Sequence, residues 1–415
     1  MKHILIIGGG IIGLSTAYYA SRRGHRVTVV ERGDATHDGC SFGNAGYITP
    51  SHFIPLAAPG AVRLALRWMK DPESPFYVRP RLSAELLSWG WRFWRASTPR
   101  RVERAAPLLA EINLASLALY EELAAEADDF GLQKNGLLIV VRSDRALEEE
   151  AHVAELAHRL GMPAEIVDAK GVAAMEPEIR MSIAGAAFYP RDACFAPATL
   201  MGSMKRRLEE RGVQFAWDTN VTGWRLGNDR VEAVRTSRGD LSADEYVVSG
   251  GSWSPSIVRG LKLKLPMQGG KGYSLTLPHP PHKSKRAIIL GEARVAVTPL
   301  GEGIRFGGTM EIAGLQERVN PARVRGIVKA VVRYFPDFTA DDFRGVDPWY
   351  GFRPCSPDGL PYVGRFARYA NLSAATGHAM MGMSLGPITG KLMSEVLSDE
   401  PPSIDIGMLS PDRYA

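Results

Sequence analysis

The chain has 415 residues, 45% hydrophobic and 23% charged, enough apolar material for one large or two interleaved domains and too much for a disordered chain. Its net charge of +5 is too small to single out a nucleic acid, and no recognised nucleic-acid module accompanies it. Cys40, Cys194 and Cys355 are the only cysteines and make neither a disulfide framework nor a metal-binding spacing, so a reducing compartment and no metal are expected.

Met1-Lys2-His3 leads straight into an apolar run, and no run reaches the roughly 18 residues of a membrane span. A cytoplasmic protein is expected. Residues 3–7 (HILII), the stretch GGGIIG with Leu14, Ala17, Tyr18 and Ala20 at helical spacing, and RVTVVE (26–31) predict strand, helix, strand. Helical periodicity returns in 116–131 and 146–161 around an apolar run at 136–142. From 185 to 310 short alternating strands dominate, punctuated by turn signals at 227–229 and 238–240, with one helix near 198–211. Pro321 marks a helix start before Val324, Ile327, Val328 and Val331 on one face, and a last helix is expected from about Gly386 to Leu397. Helices and strands recur at long separations, which predicts an α/β fold with a discontinuous second domain.

Residues 62–104 concentrate charge, with ten Lys/Arg against four Asp/Glu, and hold Trp68, Trp89, Trp91 and Trp94. In ELLSWGWRFWR, Glu85, Ser88, Arg92 and Arg95 recur at helical spacing beside a wide apolar surface of Leu86, Leu87, Trp89, Trp91, Phe93 and Trp94. That pattern fits either a helix lying in a membrane interface or a core helix with a solvated edge.

The N-terminal element carries chemistry. Gly8-x-Gly10-x-x-Gly13 opens the first helix, and Glu31 closes the second strand. Glycines there allow a tight turn and close approach of a pyrophosphate to the helix N-terminus, while the acid accepts a ribose hydroxyl. NAD and FAD both satisfy this arrangement. Far downstream, CSFGNAGYITP (40–50), YVVSGGSWSP (246–255) and ATGHAMMGMSLGP (375–387) are small-residue loops; the last feeds a helix N-terminus suited to negative charge on a reduced flavin.

Taken in order, the fingerprint, the following NAG, GGSWSP, GKGYSLT, RFGGTMEIAG, GFRPCSPDGLPYVGR and TGHAMMGMSLGP resemble the D-amino-acid oxidase superfamily of flavoproteins over essentially the whole chain, and the bacterial D-amino-acid dehydrogenases most. Two departures stand out: Gly250-Gly251 where many relatives read Ala-Thr-Gly, and Ala379 where a third glycine is common. The resemblance implies a DAO fold: a Rossmann-like FAD-binding domain (1–60, 195–255 and 345–415) interleaved with a mixed-sheet α+β substrate domain (61–194 and 256–344). It implies FAD contacts at Gly8, Gly10, Ile11, Ile12, Gly13, Glu31, Arg32, Ser41, Asn44, Ala45, Gly46, Val221, Gly250, Gly251, Trp253, Gly377, His378, Met380, Met381, Gly382, Met383 and Ser384. His378 touches the flavin on this reading, with capping or packing as the alternative. Relatives with covalent flavin carry a cysteine a little upstream of the arginine position in GFRPC; here that region reads WYGF, so non-covalent FAD and a structural Cys355 are expected.

The resemblance also implies that Arg353 binds the substrate carboxylate, and a planar, permanently charged guanidinium matches a carboxylate two-pronged. A salt bridge to Asp358 is the alternative. Tyr273 and Tyr350 either line the site beside it, as catalytic groups, or are core tyrosines; His52 either approaches the substrate or is exposed; Glu311 either faces the site or pairs with a surface cation. The implied reaction is oxidative deamination of a D-amino acid to a 2-oxo acid and ammonia, by hydride transfer from Cα to flavin N5, with electrons passed to a quinone or other membrane acceptor. Alternatives on the same fold are a D-proline, hydroxyproline or sarcosine dehydrogenase, an oxygen-using oxidase, or a non-catalytic flavin subunit docking through residues 62–104.

Overall fold

The computed structural model describes all residues except 37–38 and 127–128. The apolar run His3–Ile7 is a strand with its last four side chains buried, as expected of a parallel strand covered on both faces. It pairs in parallel with Arg26–Val30 and with Glu245–Val248. The sheet runs Tyr362–Arg365, Leu372–Thr376, Glu245–Val248, His3–Ile7, Arg26–Val30, Gln214–Ala216, and Tyr362–Arg365 alone is antiparallel to its neighbour. The helices Ile11–Arg22 and Gly382–Leu397 pack together on this sheet. A Cβ on Gly390 would run into the backbone of Ser15, so glycine is what allows that approach.

The last helix begins at Gly382, four residues ahead of the expected Gly386, which puts Pro387 inside the helix rather than in its first turn. Proline lacks the N–H that would bond the carbonyl four residues back. That carbonyl, of Met383, instead accepts the Tyr120 hydroxyl, which explains how the helix continues through the proline.

A second, nine-stranded sheet runs Trp349–Cys355, Gln268–Leu277, Gly303–Ile312, Val295–Leu300, Ala287–Leu290, Leu137–Val141, Gly185–Tyr189, Glu165–Asp168, with Phe76–Val78 added beside Gly303–Ile312. The helix Pro321–Tyr334 covers one of its faces through Ile327 and Val331, both fully buried, with Val324 and Val328 partly buried. The strand Trp349–Cys355 belongs to this sheet by its pairing with Gln268–Leu277, although the sequence grouped all of 345–415 with the cofactor domain. The helices Pro99–Glu126 and Asp144–Arg159 flank the strand Leu137–Val141; the part of the predicted first helix at 127–128 lies outside the described residues. Val221–Leu226, Val231–Thr236 and Gly239–Leu241 form a separate three-stranded meander.

Residues 62–104 divide into the helix Ala61–Trp68, the strand Phe76–Val78, the helix Ala84–Ala96 and the start of Pro99–Glu126. The continuous aromatic surface expected on Ala84–Ala96 is split. Trp89 is buried, stacks on Phe93 at 5.1 Å and donates from Nε1 to the Cys355 carbonyl at 2.9 Å. Leu86, Trp89 and Phe93 follow the inward three-and-four spacing, whereas Leu87, Trp91 and Trp94 are exposed. Among the described residues no helix is long and apolar enough to cross a membrane.

Candidate active site

At the fingerprint, Gly8 adopts φ +117, a conformation open to glycine, and a Cβ there would lie 2.5 Å from the Ser249 carbonyl oxygen. This brings the first loop against Gly250. Glu31 is buried and binds the loop from both oxygens: Oε2 accepts from Gly9 N at 2.7 Å and Oε1 from Gly33 N at 3.0 Å. Ser41 Oγ accepts from Ile11 N at 3.1 Å. The Ile11 amide, expected free for a pyrophosphate, therefore already has a partner, and the side chains of Ile11 and Ile12 are buried in the core. Arg32 lies over the Trp253 ring at 3.8 Å from the centroid, bringing two expected cofactor residues together. Val221 begins the separate meander, two residues after Thr219, whose N–H donates to the Glu31 carbonyl at 2.9 Å.

The loop 42–46 is tied to the nine-stranded sheet. Ser274 donates to the Gly43 carbonyl at 3.2 Å, Arg305 to those of Phe42 and Asn44 at 3.3 and 2.8 Å, and Thr298 to that of Ala45 at 2.8 Å. Asn44 spends its side-chain oxygen on Gly46 N. On the far side, Ala379 N donates to the Pro354 carbonyl at 2.9 Å, and His378 bridges to Cys355. The loop 377–381 is thus stitched to the strand bearing Arg353. Ala379 sits at φ +48, the left-handed region, which accounts for a glycine being common there.

FAD fits these residues. Ser249 Oγ and His378 Nδ1 are sealed from solvent without a partner among the described residues, beside the glycine cradle and beside Arg353's strand respectively. His378 bonds Thr389 Oγ1 at 2.9 Å through Nε2, and burial pushes its imidazole down to about 3, so it is neutral. The Gly377 and Gly382 loop leads into a helix N-terminus with Met380 exposed and Met381 half-buried. Ser384 is different: its hydroxyl accepts from Thr49 N and donates to Asn113, and the Met383 side chain is in the core. Neither side chain is free for a cofactor.

Arg353 is half-buried. Its Nη1 donates to the Thr309 carbonyl at 2.7 Å, and no acid among the described residues pairs with it. Burial depresses the guanidinium below its ordinary value, with Cys40 and Cys355 opposing. Asp358, the alternative partner, is engaged by Arg413 at 2.8 and 3.1 Å.

The register does not bring Tyr273 and Tyr350 to Arg353. They are opposite one another, three residues along the strand from Arg353, which opposes Gly270; side chains alternate along a strand, so both tyrosines point to the other face. There Tyr273 donates to Glu311 Oε2 at 2.7 Å and accepts from Asn320 N at 3.2 Å. Glu311 is buried, with Lys271 Nζ 3.7 Å away, so its cation is an interior one. Burial pushes the Lys271 ammonium down, opposed by Glu311, and Nζ also donates to the carbonyls of Gln316 and Arg318. His52 is half-buried, and burial, with Arg294 adding, pushes it down to about 4. Its Nδ1 lies 3.1 Å from Ser51 Oγ, and that hydroxyl donates to Asp192 at 2.5 Å. No hydrogen bond among the described residues joins His52 to Arg353.

Thr309 and Lys271 carry no signal of their own in GKGYSLT and RFGGTMEIAG: the contacts of Thr309 with Arg353 and of Lys271 with Glu311 depend on cross-strand pairing that no local pattern announces.

The family model for FAD dependent oxidoreductases (DAO) matches residues 3–396. The chain is 34% identical to a D-amino acid dehydrogenase of Granulibacter bethesdensis, over 99% of each protein, and 33% identical to one of Agrobacterium fabrum over the full length of both. Among solved structures it resembles glycine oxidase from Geobacillus kaustophilus, with a TM-score of 0.80 at 20% identity and complete coverage of both chains. It also resembles L-proline dehydrogenase from P. horikoshii, with a TM-score of 0.76 at 17% identity, covering 100% of this chain and 97% of that one. With its two large sheets, glycine cradle and family-wide match, the chain belongs to the DAO family of FAD-dependent oxidoreductases and is an enzyme of that fold.

Proposed function

We propose that this enzyme oxidises D-amino acids to the imino acid, which water converts to a 2-oxo acid and ammonia. The observation that carries the reading is Arg353: a half-buried cation without an acidic partner among the described residues, between the loop bearing His378 and the sheet face tied to 42–46. Burying an unpaired cation is costly, and a substrate carboxylate supplies the missing charge. Relatives named D-amino acid dehydrogenase, similar over their whole length, support the same substrate class.

Arg353 spends one N–H on Thr309 and keeps four donors for a carboxylate. Holding that carboxylate fixes the adjacent Cα, and positioning of this kind contributes on the order of several kcal/mol. FAD, held by the residues around Gly8, Ser249 and His378, would supply a two-electron acceptor for the hydride leaving Cα. The amine must be neutral for hydride to leave, and no protein base is required at Cα. Non-covalent attachment is supported by burial, which pushes the Cys40 and Cys355 thiols up to about 11 and 12, away from the reactive thiolate.

The two large sheets support two units, with the strand Trp349–Cys355 grouped with the substrate side and the rest of 345–415 with FAD. For the electron acceptor we favour a membrane quinone: exposed Leu87, Trp91 and Trp94 stand in the segment that also carries Arg63 and Arg67, exposed on the helix Ala61–Trp68.

Arg353→Leu tests the assignment. The purified variant is expected to retain FAD absorbance and to lose anaerobic flavin bleaching by D-amino acids. Turnover with unchanged apparent affinity would refute it.

A further inference from the structure

Thr309 combines three observations at one residue. Its φ is +59, the left-handed region, where a β-branched residue is an outlier. It lies in a β-bulge: Lys271 pairs with Glu311 and Tyr273 with Gly308, so Thr309 and Met310 both face the single residue Gly272. Its hydroxyl is sealed from solvent and has no hydrogen-bond partner among the described residues, in a residue only 6% exposed.

The same residue's carbonyl accepts from Arg353 Nη1 at 2.7 Å. Bulges re-aim side chains and backbone groups beside active sites, and a strained backbone persists where its surroundings over-determine it. A buried hydroxyl without a partner is costly unless something absent from the protein alone completes it. The group within reach of a residue that grips Arg353 is whatever Arg353 binds.

We propose that Thr309 is a substrate-contacting residue: its carbonyl steers one arm of the Arg353 guanidinium, and its hydroxyl donates to the substrate carboxylate held by that guanidinium. This rests on Arg353 being the carboxylate clamp. A carboxylate offers about four lone-pair sites, and a guanidinium fork fills two. Tyr273 and Tyr350, which would otherwise provide a hydroxyl, point to the opposite face. Thr309 stands opposite Gly272, the residue against which the Arg353 guanidinium packs.

The test compares Thr309→Val, Thr309→Ser and Thr309→Gly in the FAD-loaded enzyme, with benzoate as a carboxylate probe read by perturbation of the flavin spectrum and a D-amino acid as substrate. Valine keeps the branched Cβ and removes the hydroxyl; serine keeps the hydroxyl; glycine relieves the left-handed strain and removes the hydroxyl. A hydrogen bond to a charged group is worth about tenfold or more in affinity. Thr309→Val and Thr309→Gly are both expected to weaken benzoate by about that factor and to raise KM in parallel with little change in kcat, and Thr309→Ser is expected to restore most of the binding. Should the valine protein fail to hold FAD, the glycine and serine pair carries the comparison. Wild-type benzoate affinity in the glycine variant, or serine as weak as glycine, would overturn the proposal. Arg353→Leu separates the two readings: if it abolishes benzoate binding while Thr309→Gly does not, the clamp stands and the role of Thr309 falls; if Arg353→Leu binds benzoate normally, the clamp itself fails.

Discussion

The Arg353 guanidinium packs against Gly272 on the neighbouring strand, so close that a Cβ at that position would overlap Nη1, Cζ and Nη2. The arginine is therefore held by an absence of side chain as much as by its bond to Thr309. Gly272→Ala is expected to push the guanidinium out of place without straining the backbone, since Gly272 is not among the residues with positive φ. A displacement of about 1 Å can cost on the order of 100-fold. Steady-state kinetics on the alanine variant should show a loss of that order in kcat/KM with FAD content unchanged, and a wild-type value would exclude the packing role.

Arg413 and Asp358 form a bidentate pair with side chains 13% and 6% exposed, and the guanidinium also covers the Tyr362 ring at 3.9 Å. Removing one partner of such a pair leaves a buried charge and costs about 3–5 kcal/mol. Arg413→Leu should lower the midpoint of denaturant unfolding accordingly. Because Asp358 is not the counter-ion of Arg353, the folded fraction is expected to keep its kcat/KM.

Asp192 is 1% exposed, and burial pushes its carboxyl up to about 7 although two bonds from Ser51 pull it down. An unfolded aspartate titrates near 3.9, so the folded protein keeps a proton that the unfolded chain has released. The stability contributed is full below about pH 4 and is lost as pH rises towards about 7. Asp192→Asn removes this titration. Thermal midpoints measured across that window should shift steadily in favour of the asparagine variant, then hold constant at higher pH; a constant difference throughout would contradict the assignment.

Leu87, Trp91 and Trp94 are exposed while Trp89 is buried against Cys355. The exposed three, changed to serine together, should leave the thermal midpoint nearly unaltered and reduce co-sedimentation with anionic liposomes. Basic residues near an anionic surface contribute about 1 kcal/mol each, so binding of the wild type should also fall with added salt. Equal sedimentation of both proteins would remove membrane contact from the reading.

Several features were legible in the chain because they are local. The buried strand His3–Ile7, the glycine turn with its acid at Glu31, and the helix starting at Pro321 each carry their signal within a few residues. Arg353 was recognisable as a cation among turn formers. The helix Ala84–Ala96 was legible as a helix, but its apolar residues occupy more than one face, and which tryptophan turns inward depends on Met310, Ile312 and Cys355 packing against Trp89. No periodicity within the helix encodes that choice.

By itself the sequence determined the element types, the nucleotide-binding turn and the permanent charge at 353, because backbone propensities, glycine freedom and guanidinium chemistry are properties of short stretches. Tertiary structure decided which face each side chain serves. Pairing Gly270 with Arg353 sends Tyr273 and Tyr350 to the far side of the sheet, and the bulge at Thr309 turns a carbonyl to the arginine. Strand parity reverses with a shift of one residue, and the register that sets it is chosen by the burial of segments distant in the chain.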